Sequence, residues 1–225
     1  HQCEQSLINL ERDYLDLYYF HHGDFGENDR YLPDAVEMMD RLVKEGKVRA
    51  VGLSAYSPDD FARLVPVIRP HVLQGSASAL SDRFLSPGSP VQNLMEQHDL
   101  ALVAFSPLGR GRLLNKYEPK QPPEFELGDN RRGKPEYSAE SLAALKPKLD
   151  KLAARFGATT TDLAAMALQF VLAHPRVACV IPGFRNARQA ASNVAAEGKA
   201  LTAEELAFIR ETLAFDEAVG VAMAF

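Results

Sequence analysis

The chain has 225 residues, of which 46% are hydrophobic and 24% are charged, and its formal net charge is -5. This length and composition are typical of a globular protein with one large domain or two small ones. The negative charge and the absence of a lysine- or arginine-rich run argue against a nucleic-acid-binding protein, and no apolar run approaches the roughly 18 residues of a membrane-spanning helix.

Short apolar runs recur along the chain and alternate with longer amphipathic stretches. Their nearly continuous apolar character is typical of strands that are buried on both faces of a parallel sheet. The predicted strands are Tyr14–Phe20, Val48–Leu53, Val72–Gly75, Leu100–Phe105 and Val177–Ile181.

The amphipathic stretches carry start and stop signals that predict helices. Ser57 is a predicted cap with Pro58 in the first helical position, and Thr202 with Glu205 forms a predicted capping box. The predicted helices are Leu32–Glu45, one starting at Pro58, Pro90–Gln97, Ala139–Phe156, one capped by Thr160–Asp162 and running to about Ala173, Asn186–Ala196 and Thr202–Leu213. Alternation of strands and helices indicates a parallel α/β fold.

No linker separates two compositionally different halves, so we predict one domain over residues 1–225. A complete eight-stranded barrel needs about 250 residues, and by length alone an open doubly wound sheet of five strands fits better. The first residue is His1 and a helix-like pattern follows directly, from which we expect a fragment or a processed chain.

The two cysteines are isolated from each other in the sequence. Cys3 and Cys179 lack the spacing of a disulfide framework or a metal site. We therefore expect reduced cysteines, no metal and a cytoplasmic location. Cys179 lies in an apolar run, which predicts a buried side chain.

Rossmann, P-loop, Gly-x-Ser-x-Gly and His-Glu-x-x-His motifs are absent from the sequence. Polar residues nevertheless occur at or just after the end of each predicted strand. These residues are His21, His22, Ser54, Gln74, Ser76, Ser106, Arg110 and Arg185. Because the carboxyl ends of parallel strands lie at one edge of the sheet, such groups can converge on one ligand.

Four ordered blocks of the sequence resemble the aldo-keto reductase family. The blocks are Asp13–His21 (DYLDLYYFH), Gly46–Ser54 (GKVRAVGLS), Ala104–Gly111 (AFSPLGRG) and Ile181–Arg185 (IPGFR). The resemblance implies a TIM (β/α)8-type barrel, incomplete here with about five of eight strand–helix units. It also implies NADPH as the cofactor and reduction of small aldehydes or ketones.

The resemblance implies a catalytic tetrad of Asp, Tyr, Lys and His, with His21 in the histidine position. An isolated histidine at a strand end is more often structural, but the surrounding block favours the functional interpretation. The family's other three tetrad members lie on its first three strands, which would precede His1. We therefore expect the parent protein to be an enzyme and the chain itself to be inactive or nearly so, because no acid would protonate the alkoxide.

The resemblance also implies contacts with the nicotinamide. Ser54 and Gln74 match residues that hydrogen-bond the carboxamide, and Phe105 matches an aromatic residue that stacks on the ring. Ala55 stands where family members often have Asn, which removes one donor.

The remaining cofactor contacts implied by the resemblance concern the phosphates and the adenosine. Ser106, Leu108, Arg110 and Gly111 match the pyrophosphate loop, Gly183 and Arg185 lie near the 2′-phosphate, and Gln189 and Asn193 match adenine contacts. Phe184 replaces a Ser or Thr that often binds the 2′-phosphate, which weakens the predicted preference for NADPH over NADH.

Two alternatives stay open. One is a nucleotide-binding regulatory protein of the same fold, like the family's potassium-channel subunits, without significant turnover. The other is a short α/β protein that has lost cofactor binding. The family's substrate pocket draws on the loop 23–31 and the C-terminal segment, here Glu217–Phe225, and the sequence indicates neither the specific substrate nor an oligomeric state.

Overall fold

The structure is a computed structural model that describes residues 1–81, 83–198 and 200–214. The chain divides into two compact units. Within the described residues, the first contains 1–76, 83–105 and 175–179, and the second contains 77–81, 106–174, 180–198 and 200–214. The predicted tail Glu217–Phe225 lies outside the described residues.

The first unit is built on a sheet with the strand order β1-β2-β3-β4-β5. The strands are β1 (Leu15–Phe20), β2 (Val48–Ser54), β3 (Val72–Ser76), β4 (Ala101–Phe105) and β5 (Val177–Ile181), of which residues 177–179 belong to this unit. The helices are α1 (Gln2–Leu10), α2 (Leu32–Lys44), α3 (Pro58–Ile68) and α4 (Pro90–Gln97), with a 3-10 helix at Glu27–Asp29. The pairs β1–β2, β2–β3 and β3–β4 are parallel, as the alternating pattern predicts.

The core of the first unit lies where α3 and α4 cover the central strands. Leu53, Leu73 and Leu102 are fully buried on successive strands. Phe61 of α3 meets Phe84 edge to face, with ring centroids 5.6 Å apart. The predicted cap of α3 is confirmed, because the Ser57 hydroxyl accepts a hydrogen bond from the Asp60 N–H. This packing fixes the central strands whose carboxyl ends carry the candidate site.

The expectation that every strand is buried on both faces is wrong for β1 and β5. Both contain several exposed positions, because they are the outer strands of the described sheet and fewer residues pack against them. The predicted burial of Cys179 is wrong for the same reason, since its side chain is exposed. Cys3 is buried, and both cysteines are free thiols.

The second unit is mainly helical. It contains α5 (Ala139–Phe156), α6 (Thr160–Leu172), α7 (Ala187–Val194) and α8 (Ala203–Leu213), with 3-10 helices at Gly109–Leu114 and Pro135–Tyr137. Helix α6 is its core element, and most of its apolar side chains are buried. The predicted cap at Thr160 is one residue too late, because Thr159 has the extended backbone of a cap and its hydroxyl accepts from the Asp162 N–H. Among the described helices, none combines the length and apolar character needed to cross a membrane.

Candidate nucleotide-binding and active site

The first unit brings four predicted site residues to the carboxyl ends of its strands. His21 directly follows β1, Ser54 ends β2, Gln74 lies in β3 and Phe105 ends β4. Ser54 is paired with Gln74 in the sheet register. Ser54 is buried, Gln74 and Phe105 are half-buried, and His21 is exposed. A hydroxyl, an amide, an imidazole and a phenyl ring therefore lie at one edge of the sheet.

A row of aromatic rings connects His21 with Phe105 along this edge. The His21 and His22 rings are 4.3 Å apart, and His22 stacks on Tyr56 at 5.5 Å with an interplanar angle of 24°. Tyr56 meets Phe105 edge to face at 5.8 Å. Tyr56 is absent from the sequence prediction. Its only signal in the sequence is its position just after β2, and that position does not distinguish a site residue from an ordinary loop residue.

An open cleft of about 830 Å³ lies beside these rings. His22, Phe25 and Tyr56 are among the residues that line it, together with polar groups of α3 and of the loop after β1. Arg63 is held there by the carboxylates of Asp29 and Asp60. The cleft thus combines aromatic side chains with an ion-paired rim, a lining that suits a small ligand with both apolar and polar parts.

In the second unit, the loop after β4 has an unusual backbone. Ser106, Gly109, Arg110 and Gly111 all have φ between 55° and 89°, a region that non-glycine residues rarely adopt. The N–H groups of Gly109 and Gly111 donate to the carbonyls of Ser106 and Leu108, at 2.9 and 3.0 Å. These two N–H groups are therefore engaged in the turns of the loop itself.

Tyr137 anchors this loop from the 3-10 helix Pro135–Tyr137. Its hydroxyl donates to the Arg110 carbonyl at 3.1 Å, and burial raises the pKa of Tyr137 to about 12. The Arg110 guanidinium lies 3.9 Å from the Glu136 carboxylate, and burial lowers the pKa of Arg112. The loop that matches the family's pyrophosphate loop is therefore held in place and partly desolvated, which strengthens its interaction with an anion.

Arg185 belongs to a cluster of three cations and one carboxylate. The guanidinium of Arg185 lies 2.9 Å from the Asp129 carboxylate, which also binds Arg131 at 2.5 Å. These two arginines hold the pKa of Asp129 well below its usual range. Partial burial lowers the pKa of Lys116, and repulsion from Arg131 and Arg185 lowers it further by a smaller amount. Lys116 and Asp129 are missing from the sequence prediction, because they lie in a long loop without a motif.

The last predicted residues lie at the start of α7 and along it. The Gln189 side chain accepts from the Arg185 N–H at 2.7 Å, so its Oε1 atom fixes the chain after β5. The Nδ2 atom of Asn193 is buried and has no hydrogen-bond partner among the described residues. Gly183 is exposed, and a Cβ atom there would meet nothing within 4 Å, so packing does not require glycine at this position.

Each unit, taken by itself, carries polar and aromatic groups of the kinds that bind parts of a dinucleotide cofactor. In the second unit, the unpartnered Asn193 donor and the cations around Asp129 suit a polar base and an anion. In the first unit, Ser54, Gln74 and Phe105 offer two hydrogen-bonding groups and an aromatic face.

The family model described as "Aldo/keto reductase family" matches residues 1–214 of the chain. The aldo-keto reductase str7 of Strobilurus tenacellus is 33% identical over 213 residues, covering 93% of this chain and 61% of that protein. The uncharacterized oxidoreductase YqkF of Bacillus subtilis is 30% identical, covering 90% and 61%. The aldo-keto reductase yakc [NADP(+)] of Schizosaccharomyces pombe is 29% identical, covering 96% and 62%. The chain thus spans about three fifths of the length of these curated relatives.

Solved structures resemble the fold over the same share. A glycerol dehydrogenase from Gluconobacter oxydans matches with a TM-score of 0.77 and 23% identity, covering 95% of this chain and 62% of that chain. An aldo-keto reductase from Bacillus halodurans in its holo form matches with a TM-score of 0.70 and 28% identity, covering 94% and 63%. These matches confirm the predicted α/β fold class and the partial barrel of the TIM type. The open doubly wound sheet, which the length alone favoured, is therefore not the fold. By its sequence blocks, its parallel strands and the family model over residues 1–214, this chain belongs to the aldo/keto reductase family.

Proposed function

We propose that the protein to which this chain belongs is an NADPH-dependent oxidoreductase that reduces small aldehydes or ketones. The observation that carries this proposal is the family match over residues 1–214 together with His21 at the carboxyl end of β1, beside the aromatic rings and the cleft. The name of the S. pombe relative, which contains NADP(+), supports the choice of cofactor.

The residues of the first unit orient the reacting groups. Reduced nicotinamide, when bound, supplies a hydride to the carbonyl carbon. The Ser54 hydroxyl and the Gln74 amide hold its carboxamide, while Phe105 provides an aromatic face for the ring. The exposed His21 imidazole donates a hydrogen bond to the carbonyl oxygen, which positions the substrate and stabilises the charge that develops on that oxygen.

The residues of the second unit hold the phosphates and the adenosine. Ser106, Leu108, Arg110 and Gly111 lie in the loop that we assign to the pyrophosphate, and Arg185, beside Gly183, is the proposed contact of the 2′-phosphate. Gln189 and Asn193 of α7 are the proposed adenine contacts. Phe184, which is 62% exposed, offers no hydroxyl to the 2′-phosphate. The preference for NADPH over NADH therefore depends on Arg185 and its neighbours.

We further propose that the 225-residue polypeptide binds the nucleotide but turns over little substrate by itself. Tyr18 and Tyr19 belong to the strand that leads to His21 and have no activating lysine beside them in the sequence. A carbonyl that accepts hydride needs an acid to protonate its oxygen. We also propose that residues 1–225 form one domain, and that the free thiols Cys3 and Cys179 reflect a cytoplasmic location.

The test uses the protein expressed from a reading frame that includes the codons upstream of His1. We expect carbonyl-dependent oxidation of NADPH, and Asp, Tyr and Lys codons in that upstream segment. His21→Ala is expected to lower kcat/KM by roughly 100-fold, because it removes one positioned hydrogen-bonding group, and to leave NADPH affinity within about twofold.

The matched control is His98→Ala, which removes an exposed histidine at the end of α4 and is expected to change neither quantity. If NADPH binds but is not oxidised by any carbonyl, and the upstream Asp, Tyr and Lys are replaced, the regulatory nucleotide-binding protein is correct instead. If His21→Ala is as active as the unaltered protein, the assignment of His21 is wrong.

A further inference from the structure

Arg63 of α3 connects this helix with the loop 23–31, which follows the two histidines after β1. Its Nη2 atom donates to the Gly23 carbonyl at 2.7 Å and to the Asp60 carboxylate at 2.9 Å. Its Nη1 atom donates to the Asp29 carboxylate. One guanidinium therefore contacts the loop near both of its ends and also the preceding turn of its own helix.

The loop approaches α3 closely at Gly23. A Cβ atom built on Gly23 would lie 2.9 Å from Cγ of Asp60 and 3.0 Å from its Oδ1 atom. Asp60 cannot easily move away, because its carboxylate also accepts a hydrogen bond from the Ser57 hydroxyl at 2.6 Å, next to the cap of α3. The missing side chain at Gly23 therefore permits the contact between its carbonyl and Arg63.

The loop backbone depends on contacts of this kind to keep its conformation. Asn28 and Asp29 have φ of 54° and 56°, a region that costs free energy for residues with a side chain. The Phe25 ring packs edge to face on Phe20 of β1, with centroids 5.7 Å apart. Phe25 thus fixes the middle of the loop to the sheet, while Arg63 fixes both ends to α3.

The loop is also continuous with the candidate active site. Gly23 directly follows His22, whose ring lies 4.3 Å from the His21 ring and 5.5 Å from the Tyr56 ring. Most residues of the loop's first half line the cleft beside these rings. The position of the loop therefore determines both the wall of the cleft and the direction in which the chain leaves His21.

We propose that Arg63 is a positioning residue for substrate binding, because it holds the loop 23–31 against α3 and so keeps the cleft beside His21 ready for the carbonyl compound. The inference rests on the proposed function, since it assumes that the substrate occupies this cleft. Arg63 takes no part in the transfer of hydride or of a proton. Without it, the loop populates further conformations, and only a fraction of the molecules can bind substrate.

The test uses the protein expressed with the segment upstream of His1. It measures kcat and KM with the aldehyde that the unaltered protein reduces fastest among propanal, butanal and benzaldehyde. For Arg63→Ala we expect KM to rise about 10-fold, as when about a tenth of the molecules is competent to bind. Both kcat and NADPH affinity should stay within about twofold, because a molecule that has bound substrate reacts normally.

Two further variants distinguish this role from a general loss of structure. Arg63→Lys keeps the charge but lacks the planar fork that reaches several partners, so its KM should lie between those of the unaltered protein and Arg63→Ala. Gly23→Ala places a Cβ atom against Asp60 and should raise KM in the same way. The matched control is Arg41→Ala, which removes an exposed arginine of α2 whose partner is the nearby Glu45 and should change neither kcat nor KM.

Amide hydrogen exchange in the purified 225-residue chain tests the contact without turnover. We expect faster exchange in the loop 23–31 of Arg63→Ala, with the exchange of β2 and β3 unchanged. Unchanged exchange in the loop would mean that Arg63 does not hold it.

The outcomes separate this inference from the function on which it rests. If the protein reduces no carbonyl compound, the proposed function is wrong and the role in substrate binding is wrong with it. If aldehydes are reduced and Arg63→Ala leaves KM unchanged, or lowers kcat alone, only the positioning role of Arg63 is overturned.

Discussion

Arg185 and Asp129 form an ion pair at the place proposed for the 2′-phosphate. The carboxylate of Asp129 also binds Arg131, and repulsion from the two arginines contributes to the lowered pKa of Lys116. Two arginines therefore share one carboxylate, Lys116 lies close enough to be repelled by them, and the cluster keeps an excess of positive charge. An added phosphate competes with Asp129 for Arg185, so the net gain from binding is smaller than for an unpaired arginine.

Arg185→Ala tests this contact at the residue scale. We expect NADPH affinity to fall about 10-fold, the size typical of one charge-assisted hydrogen bond, and NADH affinity to change by less than about twofold, because NADH lacks the 2′-phosphate. Fluorescence titration of both dinucleotides measures the two values.

Arg188→Ala is the matched control, since Arg188 is an exposed arginine on the neighbouring turn of α7. It should leave both affinities unchanged. Equal losses for NADPH and NADH in Arg185→Ala would mean that Arg185 does not discriminate between the two cofactors.

The site residues that the sequence missed share one property. Tyr56 and Asp129 contact residues far away in the chain, and Lys116 is repelled by the distant Arg185. None of the three belongs to a motif, so neither spacing nor periodicity identifies them. His21 and Ser54, in contrast, directly follow predicted strands, and Gln74 and Phe105 lie at the carboxyl ends of predicted strands. The ends of strands are visible in the sequence, whereas contacts made by long loops depend on the folded chain.

At the scale of elements, the sequence predicts strands and helices almost completely. Each of the five predicted strands agrees with β1–β5 to within one residue at either end, because buried parallel strands are short uninterrupted apolar runs. Two helix ends differ: α7 ends at Val194 and not at the predicted Ala196, and the cap of α6 lies one residue earlier than predicted. Thr159, Thr160 and Thr161 are consecutive, and only the backbone conformation decides which of them is the cap.

The structure assigns that role to Thr159, whose hydroxyl accepts from the Asp162 N–H at 3.1 Å while its own N–H donates to the Asp162 carboxylate at 3.1 Å. Thr159→Ala should therefore lower the free energy of unfolding by about 1 kcal/mol. Urea denaturation followed by circular dichroism measures this change.

Thr160→Ala is the control, because Thr160 is exposed in the first turn of α6. It should leave the free energy of unfolding within about 0.5 kcal/mol of the unaltered chain. If Thr160→Ala lowers the free energy of unfolding more than Thr159→Ala does, Thr160 is the cap, as the sequence predicts.

At the scale of the whole molecule, the family could be identified from four short blocks, but the burial of the outer strands could not be predicted. Leu17 of β1 is 36% exposed and Ile181 of β5 is 45% exposed. Apolar character indicates a strand, yet it does not say whether neighbours cover both of its faces. The chain spans about three fifths of the length of its curated relatives, and outer strands with exposed apolar residues favour pairing with further strands.

The proposed function requires that the residues of this chain bind the nucleotide. The most direct measurement is a fluorescence titration of NADPH with the purified 225-residue polypeptide, followed by displacement with adenosine 2′,5′-bisphosphate. We expect a saturable change in NADPH fluorescence that the bisphosphate reverses, with little oxidation of NADPH when an aldehyde is added. A folded chain, shown by its circular dichroism, that gives no saturable signal at any NADPH concentration would contradict the account and favour an α/β protein without cofactor binding.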